Sequence, residues 1–224
     1  MTDEAWHERL GWAHGLIAED PAVRVAALVR LAAARQAVGS AITEFNGALS
    51  QANRSGAPEP YREPAVREAL TRWREARSRS LPEALWQGVT PDAYATWPGL
   101  PYALLFLEWE LRHPQAWTCH AKAWGTKESV IRELARAELD GPGRAKLADL
   151  VELAVRRRYR CKDREYVRIA RAVDSPDLRE RLAHASGSAD PWARTHAGYV
   201  LHLLEHPELA NSRRTWTDWL ARGR

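Results

Sequence analysis

The sequence predicts an all-α protein, and three observations carry that prediction. Runs of helix-forming residues alternate with Pro, Gly, Asp and Asn punctuation along the whole chain. No stretch shows the strict apolar–polar alternation of a half-buried strand. One helix-start pattern occurs four times: a flanking residue, Pro, any residue, an apolar residue, then Arg. The copies are Asp20-Pro-Ala-Val-Arg24, Glu63-Pro-Ala-Val-Arg67, Ser175-Pro-Asp-Leu-Arg179 and Asp190-Pro-Trp-Ala-Arg194. Each part has a physical reason. Asp or Ser at the first position accepts from the unpaired amides of the first turn, and Glu does so less well. Pro at the first helical position loses no hydrogen bond and has its φ preset.

Taken in order, the pattern places helices at 3–18, 21–38, 40–51, 64–79, 101–113, 115–124, 127–139, 144–172, 176–185, 191–205 and 212–222. Gly39 divides the second from the third. Residues 53–62 (NRSGAPEPYR), polar with one Gly and two Pro, read as a linker. This allows a division into helices 1–52, the linker, and a main array 63–224, within a single helical domain spanning 1–224. Asp140-Gly-Pro-Gly143 marks a second break. Residues 80–100 hold three Pro and support only short helices. Residues 102–107 are apolar all round, which predicts a central, buried helix. Trp216, Trp219 and Leu220 share one side of the last helix, as a cap on the array or a docking surface.

Composition narrows the class. The chain has 224 residues, 45% of them hydrophobic, with a net charge of +4, which excludes a disordered polyelectrolyte. Two Cys cannot form a disulfide scaffold. The first residues, MTDEAWHERLGW, lack the basic and apolar regions of a secretory signal. The apolar run at 100–107 is short and ends in Glu108, so no membrane span is expected and a cytoplasmic protein is. Arg outnumbers Lys by 29 to 4, as a GC-rich coding sequence would produce. The positive charge is nevertheless local. Residues 156–171 hold eight basic and two acidic residues, a balance of +6, so the rest of the chain sums to −2.

DPAVRVAALVRLA at 20–32 resembles the start of a HEAT-repeat inner helix. Pro21 and Pro64 are 43 residues apart, within the HEAT period of roughly 40–47. Pro64 to Pro176 and Pro176 to Pro191 do not keep that period. The resemblance therefore implies a degenerate HEAT-like array of antiparallel helix pairs; an irregular helical bundle is the alternative.

The segment RRRYRCKDREYVRIAR, 156–171, is the first candidate site. On one helix, Arg157, Arg160, Arg164, Arg168 and Arg171 would form a strip by i+3 and i+4 spacing, and Tyr159 and Tyr166 would share a face. Arg interleaved with Tyr suits phosphates and stacked bases, so nucleic acid or another polyanion is the expected partner. The plainer reading is a solvated helix whose Arg residues pair with Glu152, Asp163 and Glu165.

The second candidate is the helix PYALLFLEWELRH, 101–113. Glu108 and Glu110 point about 200° apart on a helix, so an all-round buried helix must bury at least one. A carboxylate in apolar surroundings has a raised pKa and can act as a general acid or base; alternatively both pair with Arg112 or another Arg. The chain has 11 Trp against two Phe, and Trp109, Trp117 and Trp124 follow one another near this helix as a candidate aromatic pocket. These ingredients are similar to those of HEAT-like DNA glycosylases, which hold an alkylated nucleoside among aromatic and acidic groups. The resemblance implies base excision as one activity and, as a HEAT-like array, a protein-binding scaffold as another; a biosynthetic enzyme using Glu108 or Glu110 is the vaguer form of the enzyme reading. His113, Cys119, His120 and Cys161 match no standard zinc spacing, and no nucleophile elbow, P-loop or dinucleotide fingerprint is present, so neither a metal nor a cofactor is expected. His7-Glu8 and Glu205-His206 are too few for a His-Glu metal site. Cys119 and Cys161 read as small core residues, and Thr126 as a helix cap.

Overall fold

The computed structural model describes residues 2–86, 89 and 91–222, which form eleven α-helices and no strand. The protein is all-α. The helices are α1 (Asp3–Leu10), α2 (Pro21–Arg54), α3 (Pro64–Ser78), α4 (Leu100–Arg112), α5 (Pro114–His120), α6 (Trp124–Leu134), α7 (Gly141–Val155), α8 (Tyr166–Ala172), α9 (Pro176–Ser186), α10 (Pro191–Glu205) and α11 (Arg213–Arg222). All four Pro-led starts fall at the first position of a helix. The Asp20, Ser175 and Asp190 side chains accept from first-turn amides at 2.8, 3.2 and 2.9 Å. Glu63 makes no such bond, as its length predicts.

Several expected boundaries move: the helix expected at 3–18 is α-helical only to Leu10 and continues as a 3₁₀ helix over Gly11–Ile17, and the one expected at 127–139 runs Trp124–Leu134. Gly39 does not interrupt the chain, and residues 21–54 form one helix, because an isolated Gly costs only about 1 kcal/mol in a helix. By length and composition alone this helix could cross a bilayer, which the split at Gly39 had hidden. Its Phe45 and Ala52 are buried with Val66 and Ala69 of α3, while Val23, Val25 and Val29 are exposed. The expected long helix 144–172 is broken. α7 stops at Val155, residues 156–162 form a loop with Lys162 at φ 68°, and a single 3₁₀ turn, Asp163–Glu165, precedes α8. The basic residues are good helix formers, so tertiary contacts override propensity here. In the 80–100 stretch, 3₁₀ turns form at Glu83–Trp86 and Pro91–Thr96, while residues 87, 88 and 90 lie outside the described residues.

The chain divides into two compact units. The first comprises Met1–Gly88, Pro101–Trp109 and His113–Lys122. Here α2 and α3 pack along their lengths, with Phe45 stacked on Trp73 at 5.8 Å and Arg72 beside Glu44 at 3.3 Å. Trp6 is fully buried and stacks on Tyr102 at 5.7 Å, and Trp117 is fully buried against Phe106 at 5.6 Å. Arg35 donates to the carbonyls of His120 and Ala121 at the end of α5. The central burial expected for α4 holds, as Leu105 through Leu111 are all buried.

The second unit comprises Val89–Leu100, Glu110–Arg112 and Ala123–Arg224. α9 and α10 pack side by side, and α7, α8 and α10 enclose Leu150, Val151, Ile169, Ala197 and Leu203. On α11, Trp216 meets Tyr199 edge-on at 4.7 Å, and Trp219 lies 5.4 Å from the same ring.

Candidate functional site: an aromatic cavity over a buried ion cluster

Residues from α4, α6, α8, α10 and α11 and from the loop 156–162 build the site. Lys127 stands on α6 in register with Val130, Ile131 and Leu134, all buried, so the helix carries its amine inward with its apolar stripe. The buried amine is then met by charge. Nζ lies 2.6 Å from Asp163 Oδ1 and 2.9 Å from Glu110 Oε2, and it donates to the Cys161 carbonyl at 3.2 Å. Arg157 Nη2 donates to both carboxylates, at 2.8 Å to Glu110 and 3.0 Å to Asp163. Arg160 reaches Glu110 Oε1 at 3.4 Å with its side chain, and its backbone N–H donates to Asp163 Oδ2 at 2.6 Å. Two buried carboxylates thus face three cations. The Lys127 amine also faces the rings of Trp124 and Tyr166 at 5.6 Å each.

This cluster explains the broken helix. The loop brings Arg157 and Arg160 to Asp163 and Glu110. Unpaired buried charges would cost far more than the helical hydrogen bonds the loop gives up. The predicted basic strip therefore does not form. Arg164 and Arg168 pair with Glu165 at 3.3 and 2.8 Å, and Arg171 donates to the carbonyls of Leu203 and Leu209. Arg132 and Arg168 hold the Glu165 carboxyl below its usual range against the opposing effect of burial. The pairing expected for a solvated segment, with Glu152, Asp163 and Glu165, is present, although Asp163 and Glu165 are buried rather than solvated.

Above the cluster lies a cavity of about 380 Å³. Its walls include Tyr159, Tyr166, Trp192, His196, Tyr199 and Trp216, with Asp163 in its lining and Arg164, Asn211 and Arg213 also contributing. Trp192, His196 and Tyr199 share one face of α10 by i+4 and i+3 spacing. The rings interlock: His196 lies 5.9 Å from Tyr159, 5.8 Å from Trp192 and 6.2 Å from Trp216. Asn211 donates to the Arg164 carbonyl at 2.6 Å and tethers the segment before α11 to the loop. Tyr159 and Tyr166 do meet at one site, but through the loop rather than through a seven-residue helical repeat. Tyr166 is buried, its hydroxyl has no hydrogen-bond partner among the described residues, and burial pushes its pKa well above the ordinary value. Arg158 stacks over Trp192 at 5.2 Å, and Arg213 is exposed.

Burial holds the His196 pKa below its ordinary value, opposed by a hydrogen bond to the Arg157 backbone and by Asp163. The unfolded chain then binds this proton more readily than the fold does. Stability is expected to fall as pH drops below about 6.5, the unfolded value, and to be fully present above it. Urea midpoints at about pH 7.5 and pH 5.5 check this, and His196→Gln should shrink the difference between them.

The other expected site residues fall elsewhere. Glu108 and Glu110 are both buried, but Glu110 is ringed by cations instead of hydrocarbon, the opposite of the surroundings expected for a general acid. Trp109 and Trp117 are buried packing residues with 1% and 0% exposure, so they offer no ring face to a ligand. Trp124 is half-buried over Lys127 and Arg160. Cys119 and Cys161 are exposed, not core. Thr126 does not cap α6, whose N-cap is Ala123 without a side-chain bond. Sequence reasoning missed Lys127, Trp192, His196 and Tyr199. The available signals were a Lys in phase with an apolar stripe and three rings on one helical face.

No protein-family model, curated protein or solved structure matches this chain.

Proposed function

We propose that the protein binds single-stranded nucleic acid, seating an unstacked base in the aromatic cavity and phosphates on the arginines around it. The observation that carries this reading is the cavity lined by Tyr159, Trp192, His196, Tyr199 and Trp216, with Arg164 and Arg213 in the same lining. Flat rings stack on bases without regard to sequence, and guanidinium groups beside them can take the backbone. Arg213 is exposed and lines the cavity, so it can meet a phosphate at little desolvation cost. Base excision is less well supported. A carboxylate would have to be open to the cavity, and both oxygens of Asp163 are already engaged.

Three arginines, Arg158, Arg164 and Arg213, set the expected electrostatics. Three phosphate contacts on a single strand give a log–log salt slope of about −2, so affinity should weaken roughly 20-fold between about 50 and 200 mM salt. Fluorescence anisotropy of a labelled oligonucleotide measures this. Trp216→Ala should weaken binding by about 1–3 kcal/mol, the usual worth of one stacked base. The reading is overturned if no binding appears at low salt, or if Trp216→Ala and Arg213→Glu leave affinity unmoved. A partner that binds equally at both salt concentrations would favour a protein scaffold instead.

A further inference from the structure

We propose that His202, Glu205 and His206 form a surface site for a divalent transition-metal ion, with zinc as the natural occupant. The site is independent of the nucleic-acid reading, since none of its three residues lines the aromatic cavity. The sequence here is His202-Leu-Leu-Glu205-His206, at the C-terminal end of α10. His206 is the C-cap residue just beyond Glu205, and spacings of i+3 and i+4 from His202 bring the three side chains together at this helix end.

The geometry is close to that of a bound ion. One ligand atom from each residue lies within 4.8 Å of the other two, and the imidazole centroids are 4.7 Å apart. A tetrahedral ion with bonds of about 2.0–2.2 Å separates its ligand atoms by roughly 3.3–3.6 Å. Side-chain rotation of an ångström or so therefore closes the set without moving the helix. Two imidazoles and one carboxylate suit zinc, cobalt, nickel or copper, whereas magnesium and calcium prefer all-oxygen sites.

The surroundings orient these ligands. Glu208 Oε1 lies 3.4 Å from His206 Nδ1, placed to accept the Nδ1–H and leave Nε2 for the ion. The His202 ring stacks on Trp219 of α11 at 6.4 Å and 27°, which limits its rotation. The negative end of the α10 dipole and the Glu205 carboxylate both favour a cation. Arg179 from α9 and Arg222 from α11 are the opposing charges; Arg179 is held by Asp174 at 2.7 Å. Glu205 and His206 are exposed, so three protein ligands leave the remaining coordination positions open to water or an oxygen donor.

The test uses the untagged full chain after chelator treatment. Zinc is titrated calorimetrically, and cobalt is titrated in parallel by visible absorption. One zinc equivalent per chain is expected, with d–d bands of low-coordinate cobalt at the same stoichiometry. His202→Ala and His206→Ala should each weaken binding by at least about tenfold, and Glu208→Gln by a smaller factor. These side chains sit at a helix end, and far-UV circular dichroism confirms that the variants stay folded. The proposal is overturned by substoichiometric or absent zinc binding. It is equally overturned by zinc binding that survives both histidine substitutions, which would place the ion on other histidines.

Discussion

Replacing Lys127 by methionine is expected to destabilise the protein by about 3–5 kcal/mol, one of the two largest effects predicted here. The residue is fully buried, and its amine bonds Asp163, Glu110 and the Cys161 carbonyl. Methionine fills a similar volume, so little of the loss reflects packing. What remains is two buried carboxylates served by Arg157 and Arg160, which lie between 2.8 and 3.4 Å from Glu110. The two arginines still balance the formal charge, but they are partly exposed, and Glu110 Oε2 and Asp163 Oδ1 each lose the one donor that is fully buried with them. Urea denaturation measures the effect as a lower midpoint at unchanged slope. The double variant Lys127→Met with Glu110→Gln should lose less than the sum of the two single variants, because their charges interact directly. Additive losses would show that Lys127 acts through packing alone. The loop 156–162 should also loosen, since its hold on the fold runs through Asp163, Arg157 and Arg160.

The second large effect belongs to Trp117. Trp117→Ala is expected to cost about 3–5 kcal/mol, the range for deleting a large buried aromatic side chain. The ring is fully buried in the first unit, against Phe106 at 5.6 Å. It is a packing residue, so at a temperature where the variant stays folded, oligonucleotide affinity should match that of the wild type. Trp216→Ala should show the reverse pattern, with modest destabilisation and a clear loss of binding, because Trp216 is only partly buried and lines the cavity. The pair separates tryptophans that hold the fold from those offered to a ligand, and the abundance of Trp in the composition cannot make that distinction.

The helix starts were legible because capping is local. Asp20, Ser175 and Asp190 each bond an amide two or three residues away, and Pro sets the backbone of its own position. The burial of α4 was legible too, since a run that is apolar on every side has no face to give to water. The candidate site was legible only in part. Tyr159, Arg164 and Tyr166 do share the cavity, but the helical spacing invoked for them does not exist.

The sequence by itself determined the all-α class, the Pro-led helix starts, the buried central helix and the concentration of positive charge between 156 and 171. Each follows from interactions spanning a few residues, or from composition. Only the tertiary structure decided where that charge points. Arg157 finds Glu110 across 47 positions, and Lys127 finds Asp163 across 36. No periodicity encodes such pairings. They form because a buried charge must find its complement wherever the fold brings one. That requirement turns Arg157 and Arg160 inward, ends α7 at Val155, and leaves the aromatic face of α10 as a wall of the cavity.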